Sequence, residues 1–384
     1  MERVIIVGGG IGGLCAAIAL RQIGCDVMVY ERTAQLGRVG AGLTLWANAL
    51  KALGQLGLAE SVISAGAKAQ VGQIRHWRGK VLASVNHASL SGAFGASMIA
   101  IHRADLHQIL LSALPPEVVQ LGVACTGFSQ DSEDQEGVTV QLADGGAVRA
   151  DLLIGADGIN SVVRQQLFPH VKLRYAGYTA WRGVCDQAEV VQEIMGIMSE
   201  SWQPGKRFGI MRINERQVYW FATANREPKQ TEPANTRKQT LLQGFQGWHD
   251  PIQTVLEATP ADAILQNDIY DFRPFQPWSK DRVTLLGDAA HATTPNMGQG
   301  ACMAIESAVI LARCMAHSDN LSAALALYER QRAPRTAKIT NQSWRIGRLG
   351  QMENRLACAL RDLVVRLTPA KMTTRQLAMT IEFE

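Results

Sequence analysis

The chain has 384 residues, 47% of them hydrophobic and 19% charged; that is enough for an ample core and about two domains, and it excludes a disordered or low-complexity protein. A formal charge of +4 comes without any basic block interleaved with aromatics, so nucleic acid is not an expected partner. No run of about 20 apolar residues predicts a membrane span. The seven cysteines, Cys15, Cys25, Cys125, Cys185, Cys302, Cys314 and Cys358, show no CxxC or paired spacing, so no zinc site or disulfide is expected and a cytoplasmic chain with reduced thiols fits.

Residues 3–7 (RVIIV) read as a short buried strand, 14–23 as a helix and 26–31 (DVMVYE) as the next strand, a unit of the size of a parallel crossover. The opening stretch VIIVGGGIGGLCAAIAL is apolar like a signal peptide, but its five clustered glycines argue against one. Residues 102–114 have helical periodicity, and 138–158 read as a hairpin leading into a third buried strand. From 175 to 225, YTAWRGVC, KRFGIMRI and QVYWFATA are rich in β-branched and aromatic residues and predict a separate antiparallel sheet. Residues 225–239 are polar and Pro-bearing, an exposed connection, after which RVTLLGD returns to a buried strand.

From about 322 the chain reads as helical. Leu349, Met352, Leu356, Leu360, Leu363 and Leu367 recur at helical spacing, accompanied by Arg345, Arg348, Arg355, Arg361 and Arg366. The preferred reading packs this stripe against the body with the arginines solvated; the alternative lays it on a membrane surface.

Gly8, Gly10 and Gly13 give GxGxxG between a strand and a helix, with Glu31 ending the following strand. The first glycine permits a tight turn, the second lets a pyrophosphate approach the backbone, and the third allows close helix–strand packing. The helix N-terminus binds the anion without a cationic side chain. A carboxylate at Glu31 accepts ribose hydroxyls and repels a 2′-phosphate, which favours FAD or NAD over NADP at this site.

A second Gly-rich element, LLGDAAHATTPNMGQGACMAIESA at 285–308, selects between those two. NAD needs no second site so far along the chain, whereas a cofactor with a ribityl chain and a flavin ring does. Asp288 is placed to bond ribityl hydroxyls at the strand end. Gly298 and Gly300 let backbone meet the ring, and the helix from about 300 turns its positive end to the flavin's pyrimidine edge. The alternative is ordinary Gly and Thr turn chemistry at a helix start.

Three motifs in order, GGGIGG (Gly8 to Gly13, including Gly12) with Glu31, GADGINSVVR at 155–164 and GDAAHATTPNMGQG at 287–300, resemble the single-component FAD-dependent aromatic hydroxylases related to para-hydroxybenzoate hydroxylase. HRADL at 102–106 and the segments YTAWRG and GKRFGIMRI fit the same family. The resemblance implies an α/β fold: a Rossmann-like FAD-binding domain with a mostly parallel sheet, an antiparallel-sheet substrate domain and C-terminal helices. Expected boundaries are 1–73, 98–173 and 268–340 for the discontinuous FAD domain, 74–97 and 174–267 for the substrate domain, and 341–384 for the helical segment. It further implies that Asp157 and Arg103 contact the cofactor, with Glu31 and Arg32 at the adenosine end and Cys125 near the adenine by its backbone. Thr44 would sit near the flavin, Gly298, Gln299, Gly300, Ala301 and Cys302 along the ring, and Pro295 at its reacting edge.

The implied chemistry is hydroxylation of a small aromatic or heteroaromatic substrate with O2 through a flavin hydroperoxide. NADH or NADPH visits as a transient co-substrate, since no second GxGxxG is present. Alternatives are epoxidation of a lipophilic alkene, a flavin reductase or dehydrogenase without oxygen insertion, and a non-enzymatic flavin sensor. A monomer or homodimer is expected, with peripheral membrane association as an option. Arg207 and Tyr219 are the candidates for polar contact with substrate, the competing roles being a surface ion pair and core filling. His291 and His102 read as structural, in the loop and as a cap. Trp181, Trp202, Trp220 and Trp248 either line a pocket or anchor a core. No metal-ligand cluster or nucleophile elbow appears.

Overall fold

A computed structural model describes residues 2–35, 41–87, 90, 98–130 and 137–383. Val4, Ile5 and Ile6 are fully buried, as expected of a strand covered on both faces. Strand Arg3–Val7 lies at the centre of a five-stranded sheet in the order Val283–Leu285, Leu152–Gly155, Arg3–Val7, Asp26–Glu31, Val119–Leu121, with every pairing parallel. The first crossover helix spans Ile11–Gln22, starting earlier than the expected 14. Gly10 already accepts the N–H of Leu14 at 2.9 Å, so the glycines form the first helical turn.

A seven-stranded sheet runs Leu265–Asp271, Arg174–Asp186, Gln217–Asn225, Lys206–Arg212, Ile197–Gln203, Val71–His76, Val81–Asn86. Its pairings are antiparallel apart from Ile197–Gln203 against Val71–His76, which is parallel. Three strands from outside 175–225 therefore complete it. Its outer face carries Trp181, Phe208, Trp220 and Trp248 in one buried cluster with Phe245, the rings of Phe208 and Trp220 stacked with centroids 5.5 Å apart. This decides three of the four tryptophans for a core role: Trp181 and Trp220 alternate with the residues on the inner face, and Trp248, outside the strands, packs into the same cluster.

Helix Gly300–Ala316 packs against Ile11–Gln22. The approach is close: a Cβ on Gly12 would come within 3.2 Å of the Ala304 Cβ and 2.9 Å of a Leu286 methyl. Helix Leu321–Gly350 is tied to Gly300–Ala316 by a buried charge cluster. Glu306, 0% exposed, meets Arg332 at 2.6 Å and Arg335 at 2.7 Å.

The C-terminal expectation needs correction. The helix ends at Gly350, and a new one, Arg355–Leu367, starts under an Asn354 side-chain cap on the Ala357 N–H at 3.0 Å. A further helix, Ala370–Ile381, follows. The stripe therefore does not lie on one helix, and its leucines are not packed inward: Leu356 is 83% exposed while Arg361 is 4% exposed. Spacing alone gives an amphipathic helix but not which side meets the body.

Candidate active site

The glycine turn after strand Arg3–Val7 is dictated by steric demand. Gly8 has φ 109°, and a Cβ there would come within 2.4 Å of the Ala156 carbonyl oxygen. A Cβ on Gly13 would stand 1.9 Å from the Gly8 oxygen. Among the described residues nothing lies within 4 Å of that position at Gly10, so this backbone is open to a ligand where the helix N-terminus carries its N–H groups. Glu31 braces the turn, accepting from Gly9 N–H at 2.7 Å and Thr33 N–H at 2.9 Å. Burial alone would push its carboxyl up, but those two N–H groups and the Arg32 charge hold it below the usual range. His107, absent from the sequence expectations, fixes the same turn through its Nε2 and the Gly9 oxygen at 2.6 Å.

The second glycine element faces the first across one chamber of about 390 Å³, bounded by Gly10, Gly12, Asp288, Gly298 and Gly300. Gly298 is left-handed, φ 61°, and a Cβ there would approach the Thr44 hydroxyl to 2.5 Å, so only glycine fits without displacement. Asp288 is exposed into the chamber. The surrounding protein pushes its carboxyl up, partly countered by the charges of Arg103 and Arg164. Arg103, Thr44, Pro295 and Ala301 share the same wall.

Other expected residues stand back from it. Gln299 is buried and accepts from Asn48 at 2.9 Å. Cys302 is buried with its thiol on the Thr44 and Gly298 oxygens, and burial pushes that thiol up to about 12. Both can reach a bound group only by backbone. Cys125 binds the Gly127 oxygen through its own thiol, and Arg32 is exposed. Asp157 accepts from the first N–H of the Val162–Leu167 helix, that of Val162, at 2.6 Å, and its Oδ1 is buried without a hydrogen-bond partner among the described residues. His291 is buried against Ser307, and burial lowers it to about 3, so it is a neutral structural element. The His102 ring accepts the Ala104 N–H as a cap.

The inner face of the seven-stranded sheet closes the chamber. Alternation along Gln217–Asn225 turns Tyr219, Phe221 and Thr223 inward, and Arg207 and Met211 come from the neighbouring strand. Gly209 lies between those two in sequence because Phe221 covers it: a Cβ there would stand 2.0 Å from the ring. Tyr219 is 6% exposed; burial raises its phenol above the ordinary value despite the Arg182 charge. It is therefore a protonated donor near neutral pH.

Arg207 is no surface ion pair. At 2% exposure its Nε donates to Gln351 Oε1 at 2.8 Å, one terminal nitrogen to Glu200 Oε1 at 3.1 Å and the other to Asn296 Oδ1 at 2.7 Å. Among the described residues three of the five N–H groups are thus engaged, leaving one on each terminal nitrogen. Glu200 also accepts from the Trp202 indole at 2.7 Å, which accounts for the fourth tryptophan. Asn296 is pinned by the Tyr178 hydroxyl and by Ser343. Sequence reasoning missed Glu200, Asn296 and Gln351. Gln351 lies 144 positions from Arg207, and no local pattern marks such a partner.

The FAD binding domain family model matches residues 1–343. Aurachin C monooxygenase/isomerase of Stigmatella aurantiaca is 43% identical over 380 residues, covering 99% of this chain and 98% of the relative. The 2-heptyl-3-hydroxy-4(1H)-quinolone synthase of Pseudomonas aeruginosa is 35% identical over 371 residues, covering 95% and 94%. Among solved structures, Klebsiella pneumoniae HpxO complexed with FAD and uric acid superposes with a TM-score of 0.92 at 29% identity, covering 99% of this chain and 96% of that one. The chain belongs to the FAD binding domain family, among the FAD-dependent aromatic hydroxylases that its three motifs resemble.

Proposed function

We propose that this protein is an FAD-dependent monooxygenase that uses NADH or NADPH and O2 to hydroxylate a heteroaromatic ring carrying both an N–H and a carbonyl or enolic oxygen. The carrying observation is the one chamber whose walls bring Gly10, Gly298 and Gly300 together with Arg207 and Tyr219. A shared chamber of this lining suits one extended cofactor with a flat substrate beside it. The residues fit FAD: the open backbone at Gly10 would receive the pyrophosphate, Glu31 has lone pairs left for ribose hydroxyls, and Asp288 would take the ribityl chain. Arg32 and the Cys125 backbone would lie at the adenosine end. The N-terminus of Gly300–Ala316 would face the ring's pyrimidine edge, with Thr44 and Pro295 beside the ring. Bound FAD would supply the oxygen-activating redox chemistry.

The chain's own residues then bind, orient and shield. Glu200 offers a carboxylate acceptor to a ring N–H, Arg207 keeps an N–H on each terminal nitrogen for an oxygen, and Tyr219 donates as a neutral phenol. Met211 and Phe221 exclude water from the apolar part of the wall. The quinolone synthase relative supports this choice, since a 4(1H)-quinolone presents both groups. The proposed division follows: 1–73, 98–173 and 268–340 hold the cofactor, 74–97 and 174–267 the substrate, and 341–384 form the helical segment. The enzyme is proposed to be cytoplasmic, as a monomer or homodimer.

The test is a panel of 4-quinolones and their N-methyl analogues, assayed for stimulated NADH and NADPH oxidation with ¹⁸O2. Label in the product and a preference for the N–H compounds are expected. Sustained oxidation without label would instead assign a reductase.

A further inference from the structure

One helix turns its apolar side away from the molecule. In Arg355–Leu367, Leu356, Leu360, Leu363, Val364 and Leu367 are 83%, 62%, 43%, 55% and 68% exposed. At 3.6 residues per turn they share about 100° of arc. The opposite side faces the body, with Cys358 and Arg361 each 4% exposed. Arg361 fixes that orientation: its guanidinium stacks on the Trp202 ring at 4.8 Å, donates to the Leu349 and Gly350 carbonyls and pairs with Asp362 at 2.9 Å. Rolling the helix to hide the leucines would break all of these contacts, so the apolar side is held outward. On the helices before and after it, Leu349, Met372 and Met379 are likewise 42%, 55% and 50% exposed.

Charge decides the occupant. Arg345, Arg348, Arg355, Arg366, Lys371 and Arg375 are exposed around this surface, and Glu353 is the one exposed acid among the described residues of 345–379. A second copy docking by a twofold axis would set these cations against themselves, whereas an anionic bilayer complements them and accepts the leucines. Thirteen residues rise only about 20 Å, too short to span a bilayer.

We infer that the segment from Leu349 to Met379 docks on an anionic membrane surface, with Arg355–Leu367 lying in the interfacial plane. The docking stands apart from the hydroxylase reading and does not depend on it. The same connection serves both: Gln351 holds Arg207 at the chamber wall, and Met352 binds both Gly205 N–H and the Cys358 thiol through its carbonyl.

The test uses the purified full chain with sedimentable vesicles of phosphatidylcholine alone or with about one third phosphatidylglycerol. The protein should pellet with the anionic vesicles and bind neutral ones at least about tenfold more weakly. The variant L356Q/L360Q/L367Q, altered only at exposed positions, should retain its melting temperature, flavin content and turnover of a water-soluble substrate while losing at least about tenfold in vesicle affinity. Protein left in the supernatant with anionic vesicles, or a triple variant that binds like wild type, overturns the inference. So does a leucine-dependent dimer in sedimentation velocity without vesicle binding, which gives the surface to a second copy. Flavin content and turnover read the hydroxylase proposal separately.

Discussion

Replacing Glu306 by Gln removes the charge at the centre of the cluster that joins Gly300–Ala316 to Leu321–Gly350. Its carboxylate, 0% exposed, accepts from Arg332 at 2.6 Å, from Arg335 at 2.7 and 2.8 Å, and from Asn48 at 2.6 Å. Removing one partner of a buried ion pair costs about 3–5 kcal/mol, because the remaining charge stays buried. Two features argue for the lower end. Arg335 is 23% exposed and so partly solvated, and Arg332 keeps hydrogen bonds to Ser307 and to the Met303 carbonyl. We expect a loss of about 3 kcal/mol, roughly 4 °C in melting temperature for a chain of this size.

The pH dependence has a definite sign. Burial would raise the Glu306 carboxyl, but Arg332 and Arg335 outweigh it and hold it below the ordinary value. Its contribution is therefore complete above the unfolded value of about 4.3 and is lost as pH falls through the folded one. Differential scanning fluorimetry of wild type and Glu306→Gln should show a constant gap between about pH 6 and 8 that narrows below about pH 4. Equal melting temperatures at neutral pH would refute the argument that this cluster clamps the two helices. Because Asn48 joins Glu306 to Gln299, the variant should also release flavin more readily on dilution, read as recovered flavin fluorescence.

Three further outcomes are expected. Asp288→Ala should lower flavin occupancy after gel filtration by at least about tenfold, the loss of one or two hydrogen bonds to a charged group; a fully yellow variant contradicts the assignment. Gly298→Ala forces a Cβ at φ 61° to within 2.5 Å of the Thr44 hydroxyl, costing about 1–2 kcal/mol from the left-handed backbone alone. Pairing it with Thr44→Ala should recover part of the lost flavin affinity, and no recovery would show that the contact is not the cause. Arg207→Lys keeps the charge but not the fork that bridges Gln351, Glu200 and Asn296. It should lower kcat/KM by about 10²-fold, in line with misplacement at a positioned site, while flavin content stays near wild type; unchanged kinetics would remove Arg207 from substrate recognition.

What the sequence by itself determined follows from demands that one residue type alone satisfies. Gly8, Gly13 and Gly298 stand where a Cβ would collide or φ is positive. Those glycines, with Glu31 at a strand end and Asp288 just past one, were legible as a two-part cofactor site, and the β-branched and aromatic content of QVYWFATA likewise announced a separate antiparallel sheet. Only the tertiary structure decided the partners. Arg207 reads as a surface or substrate arginine until Gln351 and Asn296 arrive from distant elements and Glu200 from the neighbouring strand. The hairpin of Val71–His76 and Val81–Asn86 joins its sheet through Ile197–Gln203, more than a hundred residues on. The leucines of Arg355–Leu367 face outward because Arg361 finds Trp202 and two carbonyls. Periodicity specifies that a helix has two sides, but which side is buried depends on what the rest of the chain packs against it.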